Sequence, residues 1–190
     1  MDHPEKQWLE QYQNGDVEAL GRLVEHYRRP LFGFIYNMID PADDADEVFQ
    51  ETWIRAVRNL DAFKPGNLLS WLFRIARNVN IDAGRKKKAD VSLDAGDPDS
   101  GPRLERVTSP GIGPDIETAD RDLGRAIAAA VSRLPPEQKE VFLMRMEADL
   151  PFREIARIQE TSINTALARM QYALEKLKTE LETDYRELGR

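Results

Sequence analysis

The feature that most constrains the fold is a break near the middle of the chain. Between Ala89 and Glu117 eight residues are glycine or proline, and large apolar side chains are sparse. Such a stretch buries too little apolar surface to offset the entropy of ordering it, so 90–120 reads as a flexible acidic linker. The flanking blocks, 1–89 and 121–185, place apolar residues at helical spacing, with no period-2 alternation that argues for a strand. The expected fold is all-α: two small helical domains, the C-terminal one containing a helix-turn-helix.

In the first block, Asp16 is the expected N-cap of a helix whose apolar positions are Leu20, Leu23, Val24, Tyr27, Leu31, Ile35, Tyr36 and Ile39. Asp43 is expected to cap a second helix with a stripe through Val48, Phe49, Thr52, Trp53, Ala56, Val57 and Leu60. A third is expected from about Leu69 to Arg85, with Trp71, Leu72, Ile75, Ala76 and Val79 on its apolar face. In the second block a helix through Leu123 to Leu134 stops at Pro135-Pro136. The next begins at Pro136 and buries Val141, Phe142 and Met146. A short helix capped by Asp149, with Pro151 in its first turn, then precedes a turn at Gln159–Ser162. A long helix follows, expected to bury Ile163, Ala166, Leu167, Met170, Ala173, Leu174, Leu177 and Leu181. Short helix, tight turn, long helix is the layout that sets a second helix in a DNA major groove, although plain helical hairpins share it.

Charge narrows the function. The chain has no cysteine and two histidines, so thiolate metal sites and Ser-His-Asp triads are excluded or improbable. The N-terminus has no secretory core and no apolar stretch is long enough to span a bilayer, so a cytoplasmic protein without membrane insertion is expected. The net charge of −7 opposes nucleic-acid binding as an average, yet the charges are segregated. Lys64–Lys88 has seven cations against Asp82. Arg74, Arg77, Asn78 and Arg85 share a helical face that Lys86, Lys87 and Lys88 continue. Guanidinium groups so spaced can follow a phosphate backbone, Asn78 and Asn80 can address base edges, and Trp71, Phe73 and Phe63 can stack on unpaired bases. The competing reading is a solvated basic face.

The acidic run Asp43, Asp44, Asp46, Glu47 and Glu51 suits a helix N-terminus and lacks the glycine and ligand spacing of a calcium loop. A protein-docking surface, with Trp53 exposed beside Gln50, is a further reading. No phosphate loop or nucleophile elbow occurs, so no enzyme activity, metal or cofactor is expected. On the last long helix Ser162, Asn164, Thr165, Arg169 and Tyr172 can project outward. From Asp122 to Glu182 nine cations meet ten acids. A nearly neutral module binds DNA weakly and gains from a tethered second module.

These residues bring a family into view. Asp44–Leu60, DADEVFQETWIRAVRNL, resembles the core-polymerase-binding helix of bacterial sigma factors of the extracytoplasmic-function (ECF) type, in the sigma-70 family. Trp71–Asp82, WLFRIARNVNID, with the basic run at Arg85–Lys88, is similar to their −10 helix. Leu134–Ala156, LPPEQKEVFLMRMEADLPFREIA, resembles the opening of their −35-binding domain. The resemblance implies an alternative sigma factor that binds core RNA polymerase and directs promoter recognition, melting and initiation, with catalysis left to the polymerase. Asp44, Asp46, Glu47, Gln50, Glu51 and Trp53 would face the polymerase. Lys64, Asn67, Trp71, Arg74, Arg77, Asn78, Asn80, Asp82, Arg85, Lys86, Lys87 and Lys88 would engage the −10 element, the 63–70 loop holding an extruded base. Arg153, Ser162, Asn164, Thr165, Arg169 and Tyr172 would engage the −35 element. The linker would thread the polymerase's nucleic-acid channel, and an anti-sigma factor is an implied partner. The chain departs from the family where Leu167, Gln171, Tyr172 and Leu174 replace basic residues and Glu160 stands where glycine is frequent. That depletion motivates an alternative reading: a sigma-like mimic that sequesters an anti-sigma factor without binding DNA.

Overall fold

A computed structural model describes residues 4–39, 44–60, 63, 66–93 and 118–188. The described residues form eight helices and no strand: α1 (Pro4–Gln13), α2 (Val17–Met38), α3 (Ala45–Arg58), α4 (Leu68–Leu93), α5 (Thr118–Ser132), α6 (Pro136–Met146), α7 (Phe152–Ile158) and α8 (Ile163–Leu188). The all-α expectation holds. Residues 94–117 and Asp43, the expected cap of α3, lie outside the described residues. Asp44 occupies the N-cap position of α3, and its side chain makes no capping hydrogen bond to the helix.

Helix α1 has no counterpart in the sequence reading. It ends in a Schellman turn in which the Gly15 N–H donates to Tyr12 O at 2.9 Å and the Asp16 N–H to Gln11 O at 2.9 Å. Gly15 sits at φ +98°, a conformation that costs glycine nothing sterically. The next residue then starts α2 as expected: Asp16 Oδ1 accepts from the Glu18 N–H at 3.0 Å, and Oδ2 accepts from Arg22 at 2.8 Å. The Arg22 hydrogen bond holds the Asp16 carboxyl below its ordinary pKa. Asn67 plays the corresponding part for α4, its Oδ1 accepting from the Ser70 N–H at 3.0 Å. Helix α4 then continues through the basic run to Leu93, past the expected end at Arg85.

The N-terminal core packs α2, α3 and α4 around Leu23, Leu31, Phe34, Ile35, Leu72 and Phe73, each at most 1% exposed. Burying a side chain of this size stabilises by roughly 1.5–3 kcal/mol. Phe34 and Phe73 pack with ring centroids 4.9 Å apart, so Phe73 belongs to the core and is not a stacking surface for bases. Trp53 is 9% exposed, on the buried stripe with Phe49 and Ala56 as the periodicity predicts, and not exposed beside Gln50 as the docking-surface reading has it.

The C-terminal core gathers Val141, Met144, Leu150, Ile155, Ala166 and Ala173. Asp149 does not cap α7: it adopts φ +48°, and Pro151 holds the N-cap position. The α7–α8 turn closes by a second Schellman pattern, with the Glu160 N–H donating to Arg157 O at 3.3 Å and the Thr161 N–H to Ala156 O at 2.9 Å. Here a glutamate, at φ +54°, fills the position that glycine fills in the first turn. Three residues expected in the core of α8 are not there. Ile163, Leu167 and Leu174 are 44–49% exposed, because at i, i+4 and i+11 they form a row beside the buried one of Ala166, Met170, Ala173 and Leu177. Met146, the last residue of α6, is also exposed.

The two halves pack on each other, α4 against α7 and α2 against α6. At the second contact Gly33 lies beside Glu147, where a Cβ would stand 3.3 Å from a carboxylate oxygen of that exposed side chain.

Candidate nucleic-acid interface

Helix α4 sets out the basic side chains as its periodicity requires. Arg74, Asn78 and Arg85 are exposed, Trp71 is half-buried, and Arg77 lies on the flank that meets the C-terminal half. Trp71 packs against Phe63 with ring centroids 5.1 Å apart, which fixes the indole at the start of the helix. Beside it opens a cavity of about 300 Å³ lined by Asn59, Trp71, Arg74, Ile75 and Asn78. An aromatic wall, two amides and a guanidinium together offer a planar heterocycle one stacking face and several polar edges.

Asn59, at the C-cap of α3, was not among the sequence candidates. Its Nδ2 donates to Arg55 O at 2.8 Å. Only the approach of α3 to α4 brings it to the cavity.

Other −10 candidates are placed differently. The Asn67 side chain is spent on the cap of α4. Both amide atoms of Asn80 are buried without a hydrogen-bond partner. Asp82 accepts from Arg55 at 2.8 Å, and Arg55 also donates to Glu51 at 2.7 Å. The hydrogen bond to Asp82, then that to Glu51, raises the Arg55 pKa above its ordinary value. Arg55, unremarked in the sequence, thus ties the acidic face of α3 to the basic helix. Lys64 and the side chains of Lys86, Lys87 and Lys88 lie outside the described residues.

On α3, Asp46, Glu47 and Gln50 are exposed along one face, with Asp44 and Glu51 half-buried. The face runs into an apolar groove of about 340 Å³ lined by Leu20, Val24, Trp53, Ile54, Val57 and Arg58. Ile54 is 45% exposed there, and the buried Trp53 indole N–H has no partner. An acidic rim beside an apolar groove is a protein-docking chemistry rather than a metal-binding one.

In the helix-turn-helix, Ser162 caps α8, its Oγ accepting from the Thr165 N–H at 3.0 Å and lying 2.8 Å from Thr165 Oγ1. Asn164, Tyr172 and, on α7, Arg153 are exposed. Arg169 is not free: it donates to Gln159 Oε1 at 2.9 Å. Gln159 is buried and donates through Nε2 to Glu140 at 2.8 Å and to Glu137 O at 3.0 Å. Glu140 in turn holds Arg77, whose Nε is 3.1 Å from both carboxylate oxygens. Glu140 and Gln159 gave no sequence signal, since each partner lies far along the chain.

Among the described residues no helix is long and apolar enough to cross a membrane. Comparison with known proteins agrees with this geometry. Residues 23–89 match Sigma-70 region 2 and residues 124–177 match Sigma-70 region 4. The chain is 28% identical to the ECF RNA polymerase sigma factor SigW of Bacillus subtilis, covering 93% of this chain and 96% of that one. It is 30% identical to the ECF sigma factor EcfG of Rhodopseudomonas palustris, covering 81% and 80%. In fold it is similar to the sigma factor RpoE in complex with the anti-sigma factor NepR from Bartonella quintana, at a TM-score of 0.70 and 21% identity over 88% of this chain and 99% of that one. CnrH in complex with the cytosolic domain of CnrY gives a TM-score of 0.67 at 24% identity, over 95% and 98%. The two halves on either side of the break are therefore regions 2 and 4, and the chain belongs to the ECF sigma factors of the sigma-70 family, with a role in transcription initiation.

Proposed function

We propose that the protein is an alternative sigma factor that docks on core RNA polymerase through α3 and opens promoter DNA with α4. The observation behind this reading is the cavity beside Trp71, open next to exposed Arg74 and Asn78 on a helix that continues into Arg85 and Lys86–Lys88. In the mechanism, Arg74, Arg77, Arg85 and the lysines neutralise phosphates of the displaced strand. An extruded base leaves the stack and enters the cavity, its face on Trp71 and its edge addressed by Asn59 and Asn78. Unstacking costs a few kcal/mol per base, an amount one stacking contact and two hydrogen bonds can offset. The exposed Asp46, Glu47 and Gln50 and the groove at Ile54 meet the polymerase. Arg153, Asn164 and Tyr172 meet the −35 element.

An anti-sigma factor is the proposed regulatory partner, in line with the similar solved structure of RpoE, a sigma factor in complex with the anti-sigma factor NepR. A second reading, the anti-sigma-sequestering mimic, draws on the exposed row Ile163, Leu167 and Leu174 in a helix with few cations. Run-off transcription with purified core polymerase on a promoter library decides between them. Transcripts from a defined promoter set that depend on this protein support the sigma reading, and their absence despite anti-sigma binding supports the mimic.

A further inference from the structure

Between Lys64 and Lys88 the chain carries seven cations and a single acid, Asp82. Asp82 follows Asn78 by four residues and precedes Arg85 by three, so helical geometry sets it about 5–6 Å from each. It thus stands between the cavity beside Trp71 and the start of the basic run. An unpaired carboxylate there would act against DNA in two ways. It would repel phosphates drawn to Arg85, because a separation of one helical turn falls inside the Debye length of about 8 Å. It would also draw Arg85 into an i,i+3 ion pair along the helix and compete with phosphate for that guanidinium.

The Asp82 carboxylate is instead turned toward α3. Its Oδ2 accepts from Arg55 Nη1 at 2.8 Å, while Arg55 Nε donates to Glu51 Oε1 at 2.7 Å. One turn further along α3, Asn59 lines the cavity together with Asn78, so two successive turns of α3 meet two successive turns of α4. The Arg55 and Asp82 side chains are 37% and 52% exposed, and an ion pair so open to solvent contributes little to folding. Its consequence is electrostatic. We infer that Arg55 is a positioning residue for promoter DNA: it neutralises Asp82 and holds that carboxylate against α3, which leaves Arg85 for phosphate. This rests on the assignment of α4 to DNA given above.

The test uses holoenzyme assembled with excess core polymerase, so that a change in docking through Glu51 does not enter. Affinity for a forked −10 oligonucleotide is read by fluorescence anisotropy. Arg55→Gln removes the charge and keeps a polar side chain. It should weaken binding by about threefold at low salt, the effect in water of one unit charge about 6 Å from a phosphate. The loss should shrink at high salt. Asp82→Asn breaks the same ion pair but removes the acid, and should bind at least as tightly as the parent chain. In the Asp82→Asn background, Arg55→Gln should cause no further loss. A purely structural pair predicts equal losses from both single variants, since each breaks one and the same contact, and equal losses overturn the inference. A threefold loss from Arg55→Gln in both backgrounds also overturns it, by making Arg55 a phosphate ligand in its own right. Arg85→Ala separates the inference from the reading beneath it. If Arg85→Ala weakens binding and Arg55→Gln does not, the inference alone fails; if neither does, the DNA role of α4 fails with it. Circular dichroism melting checks that each variant is folded.

Discussion

The two Schellman turns allow a prediction whose magnitude follows from backbone geometry. Gly15 and Glu160 occupy the same position of the same motif, at φ +98° and +54°. A residue with a Cβ pays roughly 1–2 kcal/mol in the left-handed region. Replacing it by glycine relieves that strain but adds about 0.4–1 kcal/mol of unfolded-state entropy. Glu160→Gly should then exceed Glu160→Ala in stability by about 0.5–1 kcal/mol. The alanine variant is the necessary reference, because both substitutions remove the carboxylate near Arg74 and its small, solvent-screened contribution cancels. For a domain of this size 1 kcal/mol moves the melting midpoint by about 4–8 °C, so the two variants should differ by a few degrees. Thermal unfolding of the full chain by far-UV circular dichroism measures this. Tryptophan fluorescence follows the N-terminal half alone, since all three tryptophans, Trp8, Trp53 and Trp71, lie there. If the glycine variant melts no higher than the alanine variant, the strain assigned to Glu160 is not stored in its backbone.

Four further outcomes are expected. Arg77→Ala and Arg85→Ala should each reduce promoter opening, read by permanganate reactivity, by about tenfold while leaving polymerase co-purification intact; equal loss of both contradicts the roles given to α4. Gln50→Ala with Glu51→Arg reverses charge on the acidic face and should lower polymerase capture by about tenfold or more, with unchanged capture removing α3 from that interface. Lys87→Ala should reduce the dependence of log K on log salt by about 0.7–0.9, the contribution of one phosphate contact. Asp16 has a folded-state pKa held below its unfolded value by Arg22, so its stabilisation is present above the ordinary carboxylate pKa and is lost as pH falls through the depressed one. Asp16→Asn should flatten the acid limb of the melting-temperature profile below about pH 4, and an unchanged limb refutes the linkage.

Helical periodicity made the fold legible where the apolar stripe was wide, as in α2 and α3, and where a cap was local, as at Asp16 and Pro136. It misplaced Ile163, Leu167 and Leu174 because a hydrophobicity pattern does not state how wide the facing helices are; their row flanks a narrow buried stripe of Ala166, Ala173 and their neighbours. It missed α1, whose ten residues have few apolar positions and which is held chiefly by packing on α2. The basic helix was readable as a charge pattern, since cations on one helical face need no knowledge of the rest of the chain.

What was not readable is how those cations are occupied. Glu140 sits in a helix between Lys139 and Val141 and looks in sequence like any surface acid. Its role follows from a contact 63 residues away and from burial that leaves its side chain 8% exposed. A buried carboxylate is costly unless paired, so its position implies that the partner arginine is held just as firmly. The same reasoning applies to Gln159, whose amide donates to one acid and accepts from Arg169, and which is buried although glutamine is ordinarily a surface residue. Of these two polar residues withdrawn from water, Glu140 joins the halves through Arg77, while Gln159 ties α6 to α8 within the C-terminal half. An arginine chosen for phosphate is equally suited to carboxylate, and a chain with seven more acids than bases has such groups to offer. The net negative charge that argues against DNA binding when taken as an average thus has a local meaning, as a source of anions that pair with arginines of the basic helix.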